Sequence, residues 1–210
     1  MRIVVVGAGG HAKVVVEACL AAGWVVSGTV DADPSRTVFG LPHLGPPEGL
    51  RPEPGVRAVI AVGSNAARRE LGRRLNGRFE WATVVHPAAT VSPRARIKEG
   101  AVVFAGAVVQ ADTVVGRHVI LNTGCRVDHD NDLGDFCHVG PGAVLAGTVV
   151  LGEGAFVGAG AVVTPNRSLA GWCTVGAGGV VVRDTRPGLT YAGVPAKETG
   201  RKRPAVEEVM

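Results

Sequence analysis

IKEGAV VFAGAV VQADTV VGRHVI LNTGCR VDHDND LGDFCH VGPGAV LAGTVV LGEGAF VGAGAV, residues 97–162, is written here in blocks of six, and every block opens on Val, Ile or Leu. The phase extends without a slip through Val85 and Val91 upstream and Val163, Leu169, Val175 and Val181 downstream, so seventeen successive positions share it. A fixed period is the signature of a stacked repeat, and hexapeptides build parallel β-helices. Four residues after each aliphatic the side chain is mostly small, as at Ala89, Ala95, Ala101, Ala107, Thr113, Cys125, Cys137, Ala143, Ala155, Ala161 and Cys173. One large and one small inward residue per short strand fill a narrow prism without voids. The other places are rich in Gly, Pro, Asp and Asn, which supply tight corners. Residues 85–186 are therefore expected to form an all-β solenoid, three hexads to a coil, with residues eighteen apart stacked.

The first 84 residues read differently. Arg2 to Val6 is a short apolar run ending in Gly7-Ala-Gly9-Gly10-His11-Ala12, and helical spacing follows to Ala22, closing at Gly23. A second strand, Trp24 to Val30, ends in Asp31. A third, Arg57 to Val62, ends in Gly63-Ser64-Asn65 and precedes a helix through Leu75. A fourth, Phe79 to Val85, feeds into the repeat, while the Pro-rich residues 34–54 read as a surface loop in place of a helix. Alternating strands and helices with short turns imply a parallel sheet, here a Rossmann-like half-domain over 1–84. Residues 187–210 form a C-terminal segment and tail, basic and then acidic after Lys197.

Gly7-x-Gly9-x-x-Ala12 fits the loose dinucleotide fingerprint, with Asp31 near the distance of a ribose-binding acid. Such a loop turns backbone N–H groups toward a phosphate. A full dinucleotide domain uses two mononucleotide-binding halves, and this one stops after about one and a half. A single nucleotide or nucleotide-sugar is favoured over NAD(H), with a bare βα turn as the remaining alternative.

Composition narrows the class. Hydrophobic residues make up 46% of the 210 but aromatics only 4%, which fits a prism packed by Val and Ala. No apolar run is long enough to span a bilayer, and the apolar N-terminus lacks a basic leader, so a cytoplasmic protein away from membranes is expected. A net charge of +4 without long basic runs argues against nucleic acid and suits phosphate-bearing small molecules. Cys19, Cys125, Cys137 and Cys173 show no C-x-x-C pairing and are expected to be buried, reduced thiols.

Polar residues inside the periodic block are concentrated between Asn122 and Asp135. His129 falls at the third place of its hexad, near a corner, and the residue eighteen further on is Gly147. A missing side chain there leaves a notch and a bare N–H beside the imidazole. Asp128 or Asp130 can fix the tautomer of His129 and raise its basicity. His138 lies around the next corner. The plain alternative is a solvated acidic turn that His129 merely caps.

Several motifs resemble the sialic-acid O-acetyltransferase/bacillosamine-pathway group of sugar acetyltransferases, within the left-handed β-helix acyltransferases. They are Val6-Gly-Ala-Gly-Gly-His-Ala12, Ala61-Val-Gly-Ser-Asn65, His86-Pro87, Leu121-Asn-Thr123, Val127-Asp-His-Asp130, Leu133-Gly-Asp-Phe-Cys-His-Val139, Ala146-Gly147 and Tyr191-Ala-Gly-Val-Pro-Ala-Lys197. The resemblance implies a left-handed coil and a homotrimer with active sites between chains. It implies an acetyl-CoA-dependent N-acetyltransferase acting on a nucleotide-linked 4-amino-4,6-dideoxy sugar, with no metal. His129 resembles the general base and Asp130 its acidic neighbour. His138, Gly147, Ala159 and Ala177 match acetyl-CoA positions, and Gly9, Gly10, His11, Asp31, Ala32 and Gly63 match nucleotide-sugar positions. Attack is expected to be direct, with no acyl-enzyme. Rival readings are a sialic-acid-type O-acetyltransferase, a γ-type carbonic anhydrase and a non-catalytic nucleotide-binding trimer.

Overall fold

A computed structural model describes residues 1–51 and 53–199 of the chain. The hexad translates directly into a coil. The sixth residue of one block and the first of the next make a two-residue strand, such as Val102–Val103. Each strand pairs in parallel with those one coil away, as Ile120 does with Val102 below and His138 above. Three faces result. One has eight strands and starts at Val84–Val85, one has six and starts at Thr90–Val91, and one has five and starts at Arg96–Ile97. First-place aliphatics from Val103 to Val181 point inward and are at most 2% exposed. The fold is thus the expected left-handed parallel β-helix behind a Rossmann-like half-domain.

The corners repeat as strictly as the strands. Every sixth residue from Gly100 to Gly178 has φ between 52° and 74°, including Asp112, His118, Asp130, Phe136, Thr148, Asn166 and Trp172. A left-handed residue disfavours a Cβ, so stacking of the coils holds these non-glycine corners in place. Close approach dictates glycine at other places. A Cβ on Gly152 would stand 2.4 Å from the Gly171 amide nitrogen in the next coil. Gly152→Ala is therefore expected to cost about 1–3 kcal/mol of stability, read as a lowered Tm in thermal unfolding.

The eight-stranded face continues past residue 186. Thr190–Ala192 adds in parallel to Thr174–Val175, and Lys197–Glu198 turns back against it antiparallel. The basic and acidic tail residues from 200 onward lie outside the described residues. All four cysteines are buried free thiols, and burial raises Cys125 and Cys137 to about 12.

In the N-terminal part, β1 (Arg2–Val6) lies between β2 (Val25–Val30) and β3 (Val56–Ile60), all parallel. Helix α1 (Gly10–Ala21) follows β1, and α2 (Asn65–Arg74) follows β3, capped by the Ser64 hydroxyl accepting from the Ala67 N–H. The expected fourth strand is reduced to one parallel bridge, Ala58 to Trp81. The first coil captures the chain beyond it, since the Val84 N–H already donates to the Ala101 carbonyl. Residues 34–51 form no helix, as their prolines suggest.

This half-domain packs on the eight-stranded face. Ile3, Val5, Ala12 and Val16 share one buried cluster with Val84, Val102, Phe104 and Ile120. Arg68 locks the junction and is 1% exposed. Its Nε donates to the His118 carbonyl at 2.8 Å, Nη1 to those of Val62 and Gly63, and Nη2 to Asn65 Oδ1 and the carbonyls of Phe136 and Cys137. Every acceptor is neutral, and burial pulls the guanidinium down to about 9.

Candidate active site

The turn Val127–Asn131 joins the six-stranded face to the five-stranded one, and its fourth-place residue, Asp130, has φ 56°. In an extended strand, successive side chains point to opposite faces. The left-handed corner removes that separation. His129 Nδ1 and Asp130 Oδ2 meet at 2.7 Å, and both side chains are 58% exposed. Asp128 instead accepts the His129 backbone N–H at 2.8 Å, so Asp130 is the ring's partner. A carboxylate only accepts, so Nδ1 carries the proton and the neutral ring presents a free Nε2 lone pair. The hydrogen bond that Nδ1 donates to Asp130 raises the imidazole above its ordinary value, helped by the charges of Asp128 and Asp130.

Gly147 stands beside this ring, as the stacking rule requires. A Cβ there would lie 2.6 Å from His129 Cε1 and 2.7 Å from Nε2. Its own N–H makes no backbone hydrogen bond among the described residues. Histidine, carboxylate and open glycine thus share one edge of the prism.

The other candidates gather elsewhere in the chain. Gly9 and Gly10 follow β1, Asp31 and Ala32 follow β2, and Gly63 follows β3, so all meet at the carboxyl ends of the parallel strands. Ligands bind there in open α/β sheets. Asp31 braces the loop, since its carboxylate accepts the Ala8 N–H at 2.8 Å and the Asp33 N–H at 3.0 Å. His11, in the first turn of α1, lies against Phe104 and 6.3 Å between ring centroids from His138. Its Nε2 is buried with no hydrogen-bond partner among the described residues. Burial first, then the Arg68 charge, push His11 down to about 4. The same causes, with His11 third, push His138 down to about 3, while the Gly63 backbone works the other way. Both rings are therefore neutral at physiological pH. His138 Nε2 meets Asn122 Nδ2 at 3.0 Å. Ala159 and Ala177 are exposed and stacked on the corner joining the eight- and six-stranded faces.

One consequence of this layout is topological. His138 starts a strand on the eight-stranded face, under the half-domain, whereas His129 sits on the edge between the other two faces. In a triangular prism that edge is the one opposite. A single chain therefore separates His129 and Gly147 from His11, Gly63 and His138.

Four residues at or near these sites were not candidates from sequence. Asn122 and Arg68 contact or surround His138. Arg36 brings a guanidinium nitrogen to 4.0 Å from where a Gly9 Cβ would sit, and pairs with Asp33 at 3.3 Å. Asn131 lies inside the prism beneath His129, and its signal was legible as a break in the run of small inward residues. Among the described residues, no three His, Cys, Asp or Glu side chains converge as a metal site would require, and no helix is long and apolar enough to cross a membrane.

Comparison with known proteins matches residues 2–75 to the PglD N-terminal domain and residues 133–165 to the bacterial transferase hexapeptide (six repeats). UDP-N-acetylbacillosamine N-acetyltransferase of Bacillus subtilis is 41% identical over 98 residues, which is 43% of this chain and only 45% of that protein. Solved structures align along nearly the whole length. A histidine-to-asparagine variant of perosamine N-acetyltransferase from Caulobacter crescentus, in complex with CoA and GDP-perosamine, is 44% identical with a TM-score of 0.89, covering 96% of this chain and 98% of that one. The acetyltransferase domain of PglB from Neisseria gonorrhoeae, in complex with acetyl coenzyme A, is 40% identical with a TM-score of 0.88, covering 94% and 98%. With both parts matched in order and the alignment running end to end, the chain belongs to the bacillosamine-pathway family of hexapeptide-repeat sugar acetyltransferases.

Proposed function

We propose that this chain transfers the acetyl group of acetyl-CoA to the amino group of a nucleotide-linked 4-amino-4,6-dideoxy sugar. The observation that carries the reading is the exposed His129–Asp130 pair, whose free Nε2 lies against the side-chain-free Gly147. Relatives solved with acetyl coenzyme A, or with CoA and GDP-perosamine, support the two substrates. Cytoplasmic residence suits both.

In this reading His129 Nε2 takes the ammonium-forming proton as the sugar nitrogen attacks the thioester carbonyl. The Gly147 N–H meets the developing oxyanion, and the carbonyl reforms as CoA leaves as its thiol. Asp130 stabilises the imidazolium between proton uptake and release. His138, held neutral, touches the acetyl end of acetyl-CoA, and Ala159 and Ala177 border the path of its pantetheine arm. The loop at Gly9, Gly10 and His11, with Asp31, Ala32 and Gly63, holds the nucleotide-sugar, and Arg36 offers a cation to its diphosphate.

A complete site then needs His129 from one copy and His138 with the nucleotide loop from another, which is the arrangement of a homotrimer. The outward residues Val144, Val162 and Val180 on three adjacent strands give the six-stranded face an apolar stripe, bordered by Arg126, on which copies can pack. Mixing tests this directly. Chains carrying His129→Ala and chains carrying His138→Ala, each inactive alone, are expected to recover about a quarter of normal turnover when co-assembled at equal amounts, the statistical share of interfaces with both intact halves. Mixed assemblies that form, by mass spectrometry, yet stay inactive would rule out the shared site.

A further inference from the structure

From Ala101 to Ala161 the inward fifth place of each hexad holds Ala, Cys or Val, with two exceptions, Thr113 and Asn131. They are stacked one coil apart, and both are buried, at 0% and 1% exposure. An amide in an apolar prism is tolerated only when its hydrogen bonds are met. Those of Asn131 are met in a revealing way. Its Nδ2 donates to the carbonyls of Asp128 at 2.7 Å, His129 at 3.2 Å and Ala146 at 3.0 Å. Its Oδ1 accepts the Val149 N–H at 3.1 Å. The Thr113 hydroxyl adds a bond to the Asp128 carbonyl at 2.7 Å and accepts the Asn131 N–H at 3.4 Å.

These bonds join two short segments. One carries His129 at its centre, and the other, Ala146 to Val149, contains Gly147. The exposed His129–Asp130 pair has little packing of its own, and the corner beside it is left-handed. Backbone bonds between coils hold part of that turn, the Thr148 N–H donating to the His129 carbonyl at 3.0 Å and the Asp130 N–H to that of Ala111 at 3.1 Å, and Asn131 adds side-chain bonds to the same two segments from inside the prism.

We propose that Asn131 is a positioning residue for acyl transfer, fixing from beneath the separation between the His129 imidazole and the Gly147 amide, with Thr113 holding the near end of the turn. The inference rests on the assignment of His129 as base and Gly147 as oxyanion donor. Asn131 touches no substrate. Its effect is on the geometry of the reacting step, where a misplacement of about 1 Å can cost on the order of 100-fold in rate.

The test is Asn131→Val, which installs the residue found in the same place at Val119 and Val149. Circular dichroism and sedimentation verify fold and assembly. The expected result is a kcat lower by about 10–100-fold with KM for both substrates within about twofold of normal. A merely structural role would lower the amount of folded enzyme or raise KM, and leave kcat per folded site intact. Thr113→Val, which keeps shape and removes the hydroxyl, is expected to lower kcat by about threefold, again at constant KM. If Asn131→Val does not assemble, Asn131→Cys, the residue at places 125 and 137, carries its expectation of about 10–100-fold, and Thr113→Val keeps its own of about threefold. A kcat within about twofold of normal in whichever of these variants fold overturns the inference. His129→Ala is measured alongside. An active His129→Ala removes the underlying reading, whereas an inactive one beside a fully active Asn131→Val overturns this inference alone.

Discussion

His129→Ala is expected to lower kcat by about 10²–10⁴-fold, the range a well-placed general base contributes, while the fold and the KM for the nucleotide-sugar stay close to normal. The imidazole is exposed and, among the described residues, makes its one side-chain hydrogen bond to Asp130, so its loss leaves no cavity and no buried orphan. The pH profile carries the same information. Asp130 holds the His129 pKa above its ordinary value, and the base works only when neutral, so kcat should fall as pH drops through that raised value. Asp130→Asn removes the charge but keeps an acceptor for Nδ1, so the acidic limb should move down toward the unperturbed histidine value of about 6.5. Steady-state kinetics from pH 5 to 9 on the three proteins decide it (about four units spanning the histidine range). A His129→Ala enzyme with near-normal kcat would remove this histidine from the chemistry.

Gly147→Ala should be almost as damaging. The added methyl would lie 2.6–2.7 Å from the ring atoms of His129, closer than side chains approach one another. The ring is the mobile partner, so it swings away and the coil survives. A loss of about 100-fold in kcat is expected from displacing the base, with the melting temperature little changed. The first group a side chain at 147 meets is thus the imidazole proposed as base, so catalysis is expected to suffer before acetyl-CoA binding does. Unchanged kcat in Gly147→Ala would mean that the imidazole does not use this position during turnover.

Much of this was legible before any coordinates. The six-residue phase carries the prism because its period is a property of side-chain size alone, and the stacking of His129 on Gly147 follows by counting one coil. Asp128 and Asp130 could not be told apart, because the choice depends on which residue takes the left-handed corner. The Phe79–Val85 strand misled for a different reason. Its pattern fits a fourth strand, yet the hydrogen bond from Val84 to Ala101 commits the chain to the first coil. Arg68 was illegible since its partners are mostly backbone carbonyls, which every residue possesses. The opposition of His129 and His138 across the prism needed the third dimension, although the break in pattern at Asn131 was visible in the sequence.

The His129–Asp130 pair has one further property. Its two members are adjacent along the chain and brought into register by a bend that recurs at every vertex, so the unit is modular. A coil elsewhere in such a prism that received His, Asp and Asn at its third, fourth and fifth places, with glycine one storey above, would inherit the same proton-accepting geometry. New transferases could then be sought by moving this short cassette along an existing scaffold.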